Sequence, residues 1–370
     1  MSSEQKKCRW GILGTAGIAR KNWHSIKNSG NGQLVAVASR SAERAQEYID
    51  ENQAQVAHDP APRAIGGYDE MIAADDIDAV YIPLPTGIRK EWVIKAAKAG
   101  KHVISEKPCG ATTADVEEII AVCRENNVQF MDGVMFMHSD RMPALREVID
   151  DGSSIGDLRR ISTQFSFGAG EEFLSENIRM HSDLEPLGSL GDLGWYNIRF
   201  ALWVMNFEMP KAVTGRLITT AGRPDSPDSV PIQFSGELIF ESGPTASFYC
   251  SFDTELQQWA HVSGTKGNLY LDDFVVPYFG AEAGFTVSNM ISNNNVTDFR
   301  MERHDRRVSV NEYANNHPTA QESKLFRAFG DLVLSGKTDN YWPDIALKTQ
   351  KVLNTCLDSA RNGGGEVAVG

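Results

Sequence analysis

Cysteine is scarce in this 370-residue sequence and shows no pairing pattern: Cys8, Cys109, Cys123, Cys250 and Cys356 are scattered, odd in number and form no Cys-x-x-Cys. That argues against a disulfide framework or a thiolate zinc site and predicts reduced thiols in a cytoplasmic protein. Cys109 has no histidine partner close in sequence, so it reads as a bystander rather than a nucleophile. The eight histidines show no metal-ligand spacing, and no metal is expected. No apolar run reaches transmembrane length, and the start, Met-Ser-Ser-Glu-Gln-Lys-Lys, has no apolar core and reads as carrying no secretory signal. Basic charge is in deficit too. A formal net charge of −13 sets aside nucleic acid and an anionic membrane as partners, since both need a basic face; a local basic pocket stays open. Internal repeats and low-complexity tracts are missing as well.

What the sequence does have is enough length for two cores and the composition of a soluble protein, 41% hydrophobic and 23% charged. Its central stretch is His102-Val103-Ile104-Ser105-Glu106-Lys107-Pro108. An amphipathic run with Trp92, Val93, Ala96 and Ala97 precedes it, and Gly100 stands where a helix end needs a left-handed residue. Proline disfavours the α region for its predecessor, which predicts Lys107 in extended backbone at the end of a strand. Parallel strands open their carboxyl ends onto a ligand crevice, so Lys107 would aim its ammonium there. By itself the triplet is equally an ordinary surface lysine beside Glu106.

The flanking pattern favours the crevice. Residues 9–13 form a short buried strand, Gly14-Thr15-Ala16-Gly17-Ile18-Ala19 follows, and a helical pattern comes next, the context a dinucleotide fingerprint requires. Glycines allow a tight turn and a close backbone approach to a pyrophosphate at the helix N-terminus. In the G-x-G-x-x-G frame from Gly14, Ala16 and Ala19 replace the second and third glycines, and Gly17 offers room instead. The second strand, residues 34–38, ends in Ser39-Arg40-Ser41 with Arg44 one turn on, where an NAD site usually has an acid. A hydroxyl and guanidinium groups suit a 2′-phosphate, which predicts NADP, with NAD as the alternative. Residues 79–82 are an apolar strand leading into Pro83-Leu84-Pro85-Thr86, whose prolines stiffen a loop at the same edge. A further helix (Val116, Ile119, Ile120, Val122, Cys123) and strand (128–131) complete an alternation over about 130 residues, the mark of a doubly wound parallel sheet.

The second half changes period. Residues 188–199 open with glycines and become apolar at helical spacing (Leu193, Tyr196, Phe200, Val204), which places Asp192 and Tyr196, i and i+4, on one helix face. A phenol beside an ammonium can relay a proton, because the cation favours the phenolate, and Asp192 can orient the pair or bind a substrate hydroxyl. The plainer alternative is a core aromatic and a helix-start acid. From Ala212 the pattern alternates: residues 233–240, 245–250 and 259–263 read as antiparallel strands, and Gly264-Thr265-Lys266-Gly267 as a hairpin before residues 268–271. Arg223-Pro224-Asp225-Ser226-Pro227 and the tract Asn293-Asn294-Asn295 are expected to be loops. Such an open sheet has a face to bury, which predicts a homodimer or homotetramer. Two helices close the chain, the first with a capping box Thr319-x-x-Glu322, the second capped by Asp344 ahead of Ile345. The expected fold is α/β, a Rossmann domain over residues 1–130 and an α+β domain with an open, mainly antiparallel sheet over 131–370, its closing helices (319–360) packing back on the first domain.

Arg9-Trp10-Gly11-Ile12-Leu13-Gly14, the Pro-Leu-Pro-Thr loop and Glu106-Lys107-Pro108 resemble the family of glucose-fructose oxidoreductase, inositol dehydrogenase and the rhizopine-catabolism protein MocA. The resemblance continues into residues 188–196, which are similar to that family's Gly-Gly-x-Leu-x-Asp-x-Gly-x-(His/Tyr) segment, here with the tyrosine found in the branch of dimeric dihydrodiol dehydrogenase and NADP-dependent xylose dehydrogenase. It implies Lys107 beside the nicotinamide and the reacting carbon, Tyr196 as general acid/base and Asp192 as its neighbour. It implies that Gly14, Thr15, Ala16, Gly17, Ile18, Ser39, Arg40, Arg44, Pro83, Leu84, Pro85, Thr86, Glu106 and Lys107 hold the cofactor. His138, Phe165, Phe167 and His181 are candidate substrate walls by position. Two positions depart from the family: Asp140 stands where an arginine of an Arg-x-x-Pro pattern is usual, and Arg89 where a histidine follows the Pro-Thr loop in inositol dehydrogenase relatives. The activity implied is hydride transfer between NADP and a CH–OH or C=O carbon of a sugar, polyol or cyclic diol. A catalytically silent NADP sensor needs no proton relay, and an oxidoreductase that never releases its cofactor has no export signal or long arm to support it; both remain as alternatives.

Overall fold

Short apolar stretches separated by amphipathic ones produce the expected alternation in the first part of the chain: β1 (Cys8–Leu13), α1 (Gly17–Asn28), β2 (Gly32–Ser39), α2 (Ala42–Gln53), β3 (Arg63–Gly66), α3 (Tyr68–Ala73), β4 (Ala79–Ile82), α4 (Thr86–Lys98), β5 (His102–Ser105), α5 (Thr113–Glu125) and β6 (Phe130–Asp132). The structure, a computed structural model, describes residues 6–370, so residues 1–5, most of the start read above for a signal, lie outside the described residues. The six strands pair in parallel in the order β3-β2-β1-β4-β5-β6. This is the doubly wound Rossmann order, whose direction reverses between β1 and β4 and opens a crevice at the strands' carboxyl ends. α4 buries Val93, Ala96 and Ala97, and Gly100, with φ +77°, ends it as expected.

The chain divides into two units. One gathers the chain up to His138 with Asp183–Pro186 and Asn315–Gln350; the other holds Ser139–Ser182, Leu187–Ala314 and Lys351–Gly370. The second unit is built on α6 (Arg141–Asp150), β7 (Leu158–Gly168), α7 (Glu171–Glu176), α8 (Trp195–Val204), β8 (Ala212–Ala221), β9 (Val230–Ile239), β10 (Thr245–Ser251), β11 (Asp253–Gly264), β12 (Asn268–Leu271), β13 (Glu282–Asn295), β14 (Asp298–Asn311) and β15 (Val367–Ala368). They form one sheet, β14-β13-β12-β11-β7-β10-β9-β8-β15, antiparallel except for the parallel pair β10–β7. The hairpin at Gly264 is present, its amide donating to the Gly267 carbonyl at 2.9 Å. Two features differ from expectation. β7, not anticipated, lies centrally between β10 and β11. Asn293, Asn294 and Asn295 are not a loop but the end of β13, paired with β14 out to Asn295 opposite Asp298. Both faces of that hairpin end are exposed, so no alternation marks it, and ladder hydrogen bonds alone fix it.

Two helices remain. α9 (Gln321–Ser335) lies in the first unit and completes its core: Phe326 meets Trp10 edge-on at 5.1 Å and Tyr81 at 5.7 Å, and Phe329 meets Trp10 at 5.4 Å. The expected capping box is absent. Ala320 occupies the N-cap, Thr319 bonds the His317 ring at 2.9 Å, and Glu322 pairs with Lys21 of α1. A tertiary ion pair has taken the carboxylate that a local cap would have used. Likewise Asp344 does not cap; it lies inside α10 (Tyr341–Arg361) and pairs with Arg124 of α5 at 2.7 Å. A capping box does occur at Thr112 and Asp115, before α5. No helix among the described residues is long and apolar enough to cross a membrane.

Candidate active site

The first unit's crevice begins at Gly14. Its φ of +119° is one that side-chain-bearing residues rarely adopt, and a Cβ there would stand 2.9 Å from Leu84 Cδ2 and 3.9 Å from the Tyr68 hydroxyl. Thr15 and Ser39 place their hydroxyls 3.5 Å apart. Ala16 takes the N-cap of α1 without a side-chain bond, no acid stands in the first turn, and a Cβ on Gly17 would meet open space. Gly17 and Ile18 are exposed, whereas Ala19, at the third fingerprint position, is fully buried in helix packing. A helix N-terminus with clear space and no competing carboxylate suits an anionic pyrophosphate, so the residues present fit a dinucleotide.

At the end of β2, Ser39 is buried and Arg40 exposed; Ser41 caps α2 by accepting from the Arg44 amide at 3.3 Å. Both guanidinium groups act on the Tyr68 hydroxyl: burial raises its pKa, and the charges of Arg40 and Arg44 pull against that. Tyr68 also packs edge-on against Trp92 at 4.9 Å. Sequence reasoning missed Tyr68, because an aromatic opening a short helix resembles any core residue.

Arg89, read from sequence only as a departure, is the residue on which the rest of this crevice hangs. It is buried and donates to three carbonyls: Leu84 at 2.7 Å, Glu106 at 2.8 Å, and Pro108. One planar fork thereby fixes the Pro83-Leu84-Pro85 loop to the backbone on both sides of Lys107. Lys107 itself is half-buried just past the end of β5, and its peptide bond to Pro108 is cis. Glu106 turns inward and accepts from the Tyr81 hydroxyl at 2.6 Å; burial and this carboxylate hold Tyr81 as the neutral phenol. Thr86 begins α4, its amide and hydroxyl donating to Glu185 at 3.1 and 2.6 Å, and the Gly87 amide donates to the Leu184 carbonyl at 2.9 Å. The partner comes from 99 residues away, which no local pattern signals. His138 ends a 3₁₀ turn (Met135–His138), and its ring stacks on Trp342 at 4.6 Å.

The second unit carries the other candidates. Asp192 does not lie in an α-helix, as the i, i+4 reading supposed, but in a π turn, Leu190–Gly194, that leads into α8. Such wider turns mark many functional sites. Crowding keeps position 194 small: a Cβ on Gly194 would stand 2.9 Å from Leu190 Cδ1 and 3.3 Å from the Cys250 sulfur. Burial raises the Cys250 thiol to about 12, so it stays protonated and apolar. Tyr196, 7% exposed, meets Phe165 edge-on at 5.7 Å. Phe167 shares that face of β7, two residues on, and packs with Phe252 at 5.2 Å and Phe173 at 5.4 Å. His181 follows the 3₁₀ turn Ile178–Met180, half-buried. On that turn Arg179, unanticipated, places Nε 2.8 Å from Asp192 Oδ2. Asp140 donates its amide to Glu312 at 2.8 Å, while neighbouring Arg141 forms a buried ion pair with Asp273. No group of three or more metal-ligating side chains occurs among the described residues.

Comparison with known proteins agrees with this geometry. Residues 8–134 match the model of the GFO_IDH_MocA oxidoreductase family with its NAD-binding Rossmann fold, and residues 142–270 match the GFO/IDH/MocA C-terminal domain. The chain belongs to the GFO/IDH/MocA oxidoreductase family. Within it, D-xylose 1-dehydrogenase (NADP(+)) 2 of Haloferax volcanii is 29% identical over 96% of this chain and 98% of its own. Trans-1,2-dihydrobenzene-1,2-diol dehydrogenase of Mus musculus is 32% identical over 73% of this chain and 76% of its own. A tyrosine-to-phenylalanine variant of a 3-ketoreductase from Actinomadura kijaniata, solved with TDP-benzene and NADP, superposes with a TM-score of 0.78 at 25% identity, over 96% of this chain and 98% of that one.

Replacing Arg89 by Met keeps its stem but strands three buried carbonyls. The expected cost is roughly 3 kcal/mol or more in urea unfolding, since each orphaned group costs about 1–3 kcal/mol. NADPH affinity, followed by fluorescence titration, should weaken in parallel.

Proposed function

We propose that this GFO/IDH/MocA protein is an NADP-dependent dehydrogenase or reductase acting on a CH–OH or C=O carbon of a sugar, polyol or cyclic diol. The observation that carries the reading is Lys107, clamped through its neighbouring carbonyls by Arg89 at the carboxyl end of β5, in the same unit as a fingerprint turn with open space at Gly17. Bound NADP supplies or accepts the hydride. Gly14, Thr15, Ala16, Gly17 and Ile18 receive its pyrophosphate, and Ser39, Arg40 and Arg44 its 2′-phosphate. Pro83, Leu84, Pro85, Thr86 and Glu106 shape the nicotinamide end. Lys107 lends positive charge to the substrate oxygen as charge develops there, and Tyr196 exchanges that oxygen's proton as general acid or base. Asp192 accepts from a substrate hydroxyl. Phe167 and His181 form substrate walls, as does His138, whose stacking on Trp342 gives it a structural task as well. The division of labour follows residues 1–130 for the nucleotide and 131–370 for substrate and assembly. The relatives named for xylose and dihydrodiol oxidation and for ketone reduction support this substrate class.

We infer a cytoplasmic homodimer or homotetramer assembled through the sheet of the second unit. One sheet face carries a hollow of about 500 Å³ lined by Trp259, His261, Asn268, Tyr270, Met290 and Arg303, and Tyr270 and Met290 are exposed in the single chain. Covering that aromatic surface removes apolar area from water. Sedimentation at micromolar concentration should show a dimer or larger species; a monomer overturns this assembly.

Titrating each cofactor against the protein should give tighter binding of NADP than of NAD. Arg40→Asp should reverse that order, because the carboxylate repels a 2′-phosphate and accepts from ribose hydroxyls. Tighter binding of NAD by the unaltered protein sinks the NADP assignment.

Tyr196→Phe keeps the ring against Phe165 and removes only the dissociable proton. With any sugar, polyol or diol that the protein turns over, kcat should fall roughly 10²–10⁴-fold while NADPH affinity barely changes. Unchanged turnover reduces Tyr196 to packing.

A further inference from the structure

Asp192 is not the last residue of its constellation. Its carboxylate is only 14% exposed, and a charged group this far from water depends strongly on the partners that hold it. Arg179 provides that cation, its Nε 2.8 Å from Asp192 Oδ2. The turn that presents Arg179 is itself pinned. Asn177 Oδ1 accepts from the Arg179 amide at 3.0 Å, and the Met180 carbonyl accepts from the Arg223 amide at 2.9 Å. The Arg223 side chain in turn donates to the Glu176 carbonyl at 3.1 Å and grips Asp225 at 2.7 Å. Asp192's own side is packed too, since a Cβ on Gly194 of the π turn would press on Leu190 Cδ1 at 2.9 Å and the Cys250 sulfur at 3.3 Å. Two rigid segments therefore meet at one charge-assisted bond, which is more than a surface ion pair needs.

We propose that Arg179 is a positioning residue for the reaction: it holds and aims the Asp192 carboxylate so that it accepts a hydrogen bond from a substrate hydroxyl next to the reacting carbon. The inference rests on the oxidoreductase reading above. Asp192 lies in the π turn that leads into α8, and Tyr196 opens that helix, so the proposal assigns them neighbouring oxygens of one substrate: Tyr196 the oxygen that changes oxidation state, Asp192 the adjacent hydroxyl. A carboxylate has about four lone-pair sites, so it can accept from a hydroxyl while it is held by a guanidinium. A site built to bond a hydroxyl rejects an analogue that lacks it, because its own polar group is then left unsatisfied.

The test compares a turned-over 2-hydroxy carbonyl compound or vicinal diol with its deoxy analogue lacking only that neighbouring hydroxyl. In the unaltered enzyme kcat/KM should favour the hydroxylated compound by about 10²-fold or more. Arg179→Met should lower kcat/KM for the hydroxylated compound roughly 10–100-fold and leave the deoxy compound nearly untouched, so that the preference collapses. Arg179→Lys, which keeps the charge, should restore part of it, and Arg179→Gln should restore little. Asp192→Asn should abolish the preference by itself, and adding Arg179→Met to it should change nothing further, because the two act as one unit. NADPH affinity and the melting temperature serve as controls and should stay close to those of the unaltered protein. Equal losses on both compounds make Arg179 a structural residue and overturn the proposal, as does an undiminished preference in Arg179→Met. A protein that binds NADPH but turns over no sugar, polyol or diol overturns the activity reading, an outcome separate from either of these.

Discussion

The crevice depends on one buried guanidinium. Arg89 spends its donors on the carbonyls of Leu84, Glu106 and Pro108, so two loops leaving neighbouring strands β4 and β5 share a single planar anchor. Loops at strand ends are normally the most mobile part of a doubly wound sheet. Here their backbones are satisfied by a charged donor in a nearly dry setting, where such bonds are strong and an orphaned carbonyl is costly. The lysine between two of those carbonyls is held at its Cα while its side chain keeps its reach. The residue that departs from the inositol dehydrogenase pattern thus has a structural task, the anchoring of both loops.

A second constraint is the close approach of backbone to backbone in the other unit. A Cβ on Gly188 would strike the carbonyl of Pro231, and one on Gly215 the carbonyl of Cys356. These contacts bring the π turn against β9 and the last helix against β8. A side chain at either glycine would force these backbones apart, just ahead of the turn bearing Asp192 in the first case. The long hairpin β13–β14 has no such packing at its tip, where both faces meet water. Main-chain hydrogen bonds along the whole ladder hold it instead.

Local pattern was a good guide wherever stability is local or periodic. Gly14, Gly100 and the apolar faces of α4 and α5 were legible because glycine at positive φ and helical spacing carry their own physical signature. The alternation of β9 to β12 was legible for the same reason. β7 escaped because its first half is mostly polar, Arg159-Arg160-Ile161-Ser162-Thr163-Gln164, and Thr163 stands on the covered face beside Ile161 and Phe165, where Asn197 satisfies its hydroxyl. Thr319 and Glu322 misled because the local capping signal lost to an ion pair with α1, a competitor invisible along the chain.

The sequence by itself determined the doubly wound sheet, the fingerprint turn, the residue types at Ser39 and Arg40, and the Lys107 and Asp192–Tyr196 candidates. Each of these is written in neighbours a few positions apart, within reach of backbone conformation and helical or strand period. Only the tertiary structure decided that Arg89 anchors two loops, that Glu185 caps α4, that the charges of Arg40 and Arg44 reach the Tyr68 hydroxyl, and that Arg179 holds Asp192. Those partners lie from 5 to 99 residues apart. A charge or a carbonyl buried in the fold must find its complement wherever the topology brings one, and spacing along the chain carries no record of that choice.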